Sequence, residues 1–255
     1  MIRPRIIPVL LLRDGGLVKG QKFKDHKYVG DPTNAVRIFN EKEVDELIFL
    51  DIGASNNIPK GPNFGLIADI AGEAFFPLGY GGGLENVAQI EKLFSLGIEK
   101  AIINSAAFNN PALVKEGAKL AGSSSIVVSI DVKRSIFNKY EVFINNGQTR
   151  TKTDPITFAK RMEDLGAGEI ILSSINREGT GEGYDLELIS AVSDSVDIPV
   201  VCLGGAGSAR DLNQALESSS ISGVAAGDLF VFHGKHKAVL ISYISHDELS
   251  SFTAG

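Results

Sequence analysis

The chain has 255 residues, 44% hydrophobic and 22% charged, with a formal net charge of −6. That length suits two average domains or one α/β barrel of about 250 residues. The acidic balance argues against a broad nucleic-acid footprint. No apolar run approaches about 18 residues, so no membrane span is expected.

The opening Met1-Ile-Arg-Pro-Arg5 has no long apolar run behind it, so no secretory leader is expected and the location reads as cytoplasmic. Ile6–Leu12 reads as the first strand. The glycine-bearing stretch Asp14–Gly20 then reads as a long polar loop able to act as a mobile lid. It brings Lys19 close to Lys22, Lys24 and Lys27, either an anion-contacting cluster or a solvated loop. Asp31-Pro32 is an N-cap followed by proline at the first helical position. Glu46–Ile52 and Ala74–Gly79 read as the second and third strands. Val87, Ile90, Leu93 and Phe94 carry a helical period before a fourth strand, Lys100–Asn104.

Ser125–Val132 reads as the fifth strand, and Tyr140–Thr149, with its Asn146-Gly147 turn, as an inserted hairpin. Asp154-Pro155 repeats the earlier helix start, and Glu169–Ser173 reads as the sixth strand. Pro199–Leu203, the seventh, holds the lone cysteine, Cys202, which reads as a small buried hydrophobe. Leu212, Ala215 and Leu216 are helical in spacing, and Gly223–Ala226 is the eighth strand. His233 and His236 lie three apart with no accompanying Cys or carboxylate set, so neither a metal nor a cofactor is expected.

The chain repeats itself. Asp31–Glu46 aligns without a gap to Asp154–Glu169, and Gly82–Phe108 to Gly204–Phe230, at offsets of 123 and 122 residues. Eight strands made as two similar halves predict a closed (βα)₈ TIM barrel over 1–255, with half-barrels at about 1–122 and 123–255. Its site belongs at the strand C-termini. Gly81-Gly82-Gly83 and Gly204-Gly205 follow strands three and seven, each ahead of a helix, where backbone N–H groups favour an anion. Asn104-Ser105 and Ala226-Gly227 hold matching positions after strands four and eight. The pairing predicts two phosphate seats across one mouth; tight βα turns are the plainer alternative. Asp131, ending strand five, is placed to act as a general acid or base. Its mate in the repeat is Leu11. Asp51, Lys19 and Gly179 also lie where they can reach the mouth. At the opposite end, Arg5, Glu46, Lys100 and Glu169 begin strands one, two, four and six. They make either a closed ring of charge or an ordinary polar plug.

Arg5-Ile-Ile-Pro8, Leu17-Val-Lys-Gly20, Phe49-Leu-Asp-Ile52, Gly81-Gly-Gly83, Asn104-Ser-Ala-Ala107, Ile130-Asp131, Gly179-Thr180 and Gly204-Gly-Ala-Gly207 resemble the cyclase subunit (HisF) of imidazole glycerol phosphate synthase. The resemblance covers nearly the whole chain. It implies a lyase of histidine biosynthesis that closes an imidazole ring on a bis-phosphorylated substrate. Ammonia would come from a HisH-like glutaminase subunit, bound as a heterodimer on the barrel floor, through a gate at Arg5, Glu46, Lys100 and Glu169. It assigns phosphate contacts to Gly83, Asn104 and Ser105 and to Gly179, Gly205, Ala226 and Gly227. Lys19 and Asp51 become substrate contacts, and Asp131 a catalytic residue. The chain departs from the family at Val9, at Asn176 and Glu178, and at Leu11, where a second catalytic aspartate is expected. Asp14 is the nearest substitute acid. The Leu11 form resembles paralogues of surface-polysaccharide loci, in which ammonia would pass to a sugar-amidating enzyme without ring closure. A phosphoribosyl isomerase is a further alternative, since it shares the half-barrel repeat.

Overall fold

The computed structural model describes residues 3–56, 60–135, 138–234 and 236–251. The Met1-Ile2 start of the leader reading and the last four residues of the predicted 1–255 barrel lie outside them. Eight parallel strands close on themselves: β1 (Arg5–Arg13), β4 (Leu47–Asp51), β5 (Leu78–Gly81), β6 (Lys100–Ile103), β7 (Ile126–Arg134), β10 (Glu169–Ser174), β11 (Val200–Leu203) and β12 (Gly223–Ala226), which pairs back onto β1. Helices α1 (Pro32–Glu41), α2 (Phe64–Glu73), α3 (Val87–Ser95), α4 (Ser105–Asn109), α5 (Ala112–Ala121), α6 (Pro155–Asp164), α7 (Leu186–Ser193), α8 (Ala209–Ser218) and α9 (Asp228–Val231) lie between or after them. This is the expected (βα)₈ barrel. Helix α10 (His246–Ser251) follows a small pairing of β13 (Phe232–His233) with β14 (Ala238–Val239).

Alternation along each strand sets two cores. Ile6, Leu10, Leu47, Phe49, Val128, Ile170 and Cys202 face outward into the main core with the helices. Ile7, Val9, Ile48, Ile102, Val127, Ile171, Val201 and Ala225 fill the barrel interior. Cys202 is fully buried, and burial pushes its thiol up to about 12, so it is inert packing. The helix starts read from the repeat hold: Asp31 accepts from the Asn34 N–H and Asp154 from the Thr157 N–H, each at 2.8 Å. Among the described residues no helix is long and apolar enough to cross a membrane.

Two expectations are corrected. The third strand begins at Leu78, not Ala74, because the apolar pair Phe75-Phe76 precedes it and Phe75 is 89% exposed. Gly81 is therefore the last strand residue rather than part of a loop. The stretch after β1 is no loose lid. It folds as an antiparallel hairpin, β2 (Gly16–Gln21) and β3 (Lys24–Gly30), running on from β1. Its turns are two residues long, with Asp14-Gly15 and Lys22-Phe23 all at left-handed φ. The second insertion is the hairpin expected at Tyr140–Thr149, made of β8 (Tyr140–Ile144) and β9 (Thr149–Arg150), with Asn145 and Asn146 in its turn.

Candidate active site

The inward positions of the strands carry a changing chemistry from floor to mouth. At the floor stand Arg5, Glu46, Lys100 and Glu169. Arg5 Nη1 lies 2.5 Å from Glu46, Lys100 Nζ lies 2.8 Å from Glu46 and 2.6 Å from Glu169, and Arg5 also pairs with Glu169. Burial works against the Arg5 charge, but the hydrogen bonds and charges of Glu169 and Glu46 outweigh it and raise its pKa. The four side chains thus close a ring of ion pairs, and Glu46 Oε1 is buried without a partner among the described residues. Above it comes the dry layer of Ile7, Ile48, Val127, Ile171 and Val201.

At the mouth a chamber of about 110 Å³ opens. Val9, Leu11, Leu50, Ile102 and Leu203 form its apolar lower wall; Asp131, Asn104, Ser129, Ser173, Lys19 and Glu178 are its polar groups. Phe23 and His26 of the β2–β3 hairpin and Asn146 of the β8–β9 hairpin also line it. The two hairpins approach each other there: a Cβ on Gly147 would lie 3.0 Å from the Phe23 ring. Asn146 also donates to the Ile52 carbonyl at 3.0 Å. Arg13 Nη2 lies 3.3 Å from His26 Nδ1. Burial lowers the His26 pKa, and the charges of Arg13 and Lys19 lower it further.

Asp131 is 8% exposed, and burial lifts its carboxyl to about 7, opposed by a hydrogen bond from Asn104 and aided by the charge of Glu178. A carboxyl near neutrality both gives and takes a proton at working pH. Asn104 Nδ2 donates to Asp131 at 3.1 Å and to the Ser129 carbonyl at 3.0 Å. Ser105 Oγ donates to Asn104 Oδ1 at 3.1 Å and accepts from the Asn145 N–H at 2.9 Å. The expected phosphate residues Asn104 and Ser105 therefore also orient Asp131. Leu11 shares the chamber with Asp131. Asp14, the substitute acid, sits exposed in the β1–β2 turn.

The remaining expected residues fall into two groups. Gly83, Asn104, Ser105 and Asp51 border a larger cleft of about 670 Å³ that shares Asp51, Ile52, Gly82, Ile102, Asn104 and Asn146 with the chamber. Asp51 accepts from the Gly53 N–H at 2.9 Å and the Tyr80 hydroxyl at 3.3 Å. On the other side Gly179, Gly205 and Gly227 pack against protein. A Cβ on Gly205 would lie 2.2 Å from the Gly183 carbonyl, with φ at +118°, so only glycine fits there. Ala226 is buried at the end of β12. The basic cluster splits: Lys19 is buried, while Lys22, Lys24 and Lys27 are exposed. The glycine pairs do not abut their helices, since α3 begins at Val87 and α8 at Ala209. Among the described residues no three His, Cys, Asp or Glu side chains are grouped to hold a metal.

Sequence reasoning gave no site role to Ser173 or Glu178. Ser173 follows Glu169 and Ile171 at every second position of β10, which points it inward; its Oγ is buried with no partner among the described residues. Glu178 is brought in by a turn, not by a periodic element, and burial raises its pKa against the charge of Lys19.

A sequence family described as "Histidine biosynthesis protein" matches residues 5–237. A Pseudomonas aeruginosa protein, provisionally named imidazole glycerol phosphate synthase subunit hisF2, is 52% identical over 95% of this chain and 96% of its own length. A Leptospira interrogans protein, provisionally named subunit HisF of that synthase, is 48% identical over 97% and 98%. The imidazole glycerol phosphate synthase subunit HisF of Alkaliphilus metalliredigens is 39% identical over 91% and 92%.

Proposed function

Since the chain belongs to the histidine biosynthesis protein family and is similar along nearly its whole length to HisF subunits, we propose that it conducts ammonia from a glutaminase subunit on its floor to a phosphorylated acceptor at its mouth. The observation that carries this reading is the order of chemistry along the barrel axis. A closed ring of four charges guards the floor, a dry apolar layer follows, and a polar chamber holds Asp131. Neutral ammonia crosses an apolar layer far more readily than ammonium, whose desolvation is costly. In the chamber, Asp131 is placed to move the protons that amination releases, and Asn104 fixes its carboxyl. The phosphate contacts are Gly83, Asn104 and Ser105, with Lys19 and Asp51 near the acceptor.

The family reaction also closes an imidazole ring. Leu11 favours a second reading for that step, in which this chain delivers ammonia to another acceptor, such as a surface-polysaccharide sugar, without ring closure. A missing general acid–base group costs ~10²–10⁴-fold. The same leucine weighs against the isomerase, which needs an aspartate on strand one as well as strand five.

The test is reconstitution with a HisH-like glutaminase and ¹⁵N-amide glutamine in excess unlabelled ammonium. Preferential transfer of ¹⁵N to product supports conduction; full dilution of the label overturns it. Ring closure is assayed separately with the imidazole precursor and ammonium salt. Robust turnover sinks the second reading. Absent turnover, recovered in Leu11→Asp, assigns the loss to that side chain.

A further inference from the structure

The β2–β3 hairpin carries an imidazole to the mouth. Its pairing runs from Lys19 to Lys27 and from Gln21 to Lys24, so Gly20 alone opposes Asp25 and His26. That is a β-bulge, and Asp25 within it has a left-handed φ of 52°. A bulge re-aims the side chains it carries. Here one of them is His26, which lines the 110 Å³ chamber together with Leu11 and Asp131. Gly20 leaves room for the ring, since a Cβ there would lie 2.9 Å from the imidazole Cδ2. Leu11, the mate of Asp131 in the repeat, offers no polar group to the same chamber.

The partner of the ring fixes where its proton sits. Arg13 Nη2 lies 3.3 Å from His26 Nδ1. A guanidinium can only donate, so Nδ1 accepts and the imidazole proton is on Nε2. Burial favours the neutral ring, the charges of Arg13 and Lys19 act in the same direction, and Asp25 opposes them. With its lone pair taken by Arg13, this imidazole is no base. What it has to offer is the Nε2–H, polarised by the cation bound at Nδ1. Other donors of the chamber are engaged: Lys19 with the Val9 carbonyl, Asn104 with Asp131 and the Ser129 carbonyl.

We propose that His26 is a ligand-orienting residue of the chamber, a neutral Nε2–H donor that holds a carbonyl or carboxylate oxygen of the acceptor. This rests on the reading that the mouth receives a phosphorylated acceptor, and it narrows that acceptor to one carrying such an oxygen beside its phosphate. The two sides of the chamber then differ in kind. Asp131 moves protons, while His26 keeps its own and supplies direction. A carboxylate in place of Leu11 would select a hydroxyl or N–H of the ligand; the imidazole selects an acceptor oxygen instead.

Two measurements on the full chain test it. Imidazole ¹⁵N NMR at neutral pH should show His26 with Nδ1 unprotonated and Nε2 protonated. Calorimetric titration then compares 3-phosphoglycerate with glycerol 3-phosphate, which differ only in a carboxylate against an alcohol. The carboxylate probe should bind roughly tenfold tighter through a charge-assisted hydrogen bond, and it alone should shift the Nε2 resonance. In His26→Phe the two probes should come within roughly threefold of each other, with glycerol 3-phosphate binding as before. An Nδ1–H tautomer or a doubly protonated ring overturns the proposal. So does a carboxylate preference that survives in His26→Phe, which would assign it to Lys19, and so does the lack of any preference or of any binding in the unaltered chain. The NMR and the probe comparison both read the unaltered chain, so they decide even if the variant does not fold. None of these results touches the ¹⁵N-transfer experiment, which judges ammonia conduction on its own.

Discussion

The floor and the mouth of this barrel both bury acids, and they treat them in opposite ways. Glu46 and Glu169 each meet Arg5 and Lys100 within hydrogen-bond reach. Among the described residues Asp131 takes its side-chain hydrogen bond from an amide, Asn104, and its carboxyl is lifted to about 7. Two cations stand opposite each floor carboxylate, whereas Asp131 is held by an amide in a buried polar chamber and exchanges protons near neutrality. The difference teaches that one scaffold assigns acid chemistry by what stands opposite, since Glu169 and Asp131 lie on barrel strands and Glu46 immediately precedes one.

Three substitutions sharpen or break that contrast. The largest effect belongs to the floor. Glu169→Ala leaves the half-buried Arg5 and Lys100 around a single carboxylate and should cost about 3 kcal/mol in urea unfolding. An unchanged midpoint would show that the ring is structurally idle. Next is Asp131→Asn, with the opposite sign. The folded-state pKa of Asp131 lies above its ordinary 3.8, so the fold is penalised as pH rises from there through about 7. The variant should therefore be more stable than the parent at pH 8.5 by roughly 2–4 kcal/mol and nearly equal at pH 4, read as thermal midpoints across pH. A pH-independent difference would place the carboxyl in water. The smallest effect returns to the floor, where the Tyr243 hydroxyl donates to the Ile6 carbonyl at 3.0 Å. Tyr243→Phe should cost about 1 kcal/mol and leave the pH profile unchanged; a shifted profile would couple the two ends.

The barrel was legible because strand–helix alternation and the 122-residue repeat both survive in plain sequence. So were the four floor charges, each at the start of an apolar run, and Asp131 at the end of one. The hairpin over the mouth was not. Asp14-Gly15 is a readable two-residue turn, but the second turn uses Lys22-Phe23, where a lysine and a phenylalanine adopt left-handed φ without glycine or asparagine to announce it. Once that hairpin is missed, Lys19 looks like a loop residue instead of a buried ammonium. Glu178 escaped for a different reason: a turn delivers it, and turns have no period. Phe75-Phe76 misled by composition, since an apolar pair before a proline resembles a strand edge.

The floor ring is shared unequally along the chain. Arg5, Glu46 and Lys100 come from the first 122 residues, and only Glu169 comes from the remainder. Two first halves folding against each other would bring together two arginines, two lysines and two glutamates, with positive charge in excess. A first half with a second half brings balance. By charge count alone, then, the ring balances when a first half meets a second half and is left positive when two first halves meet.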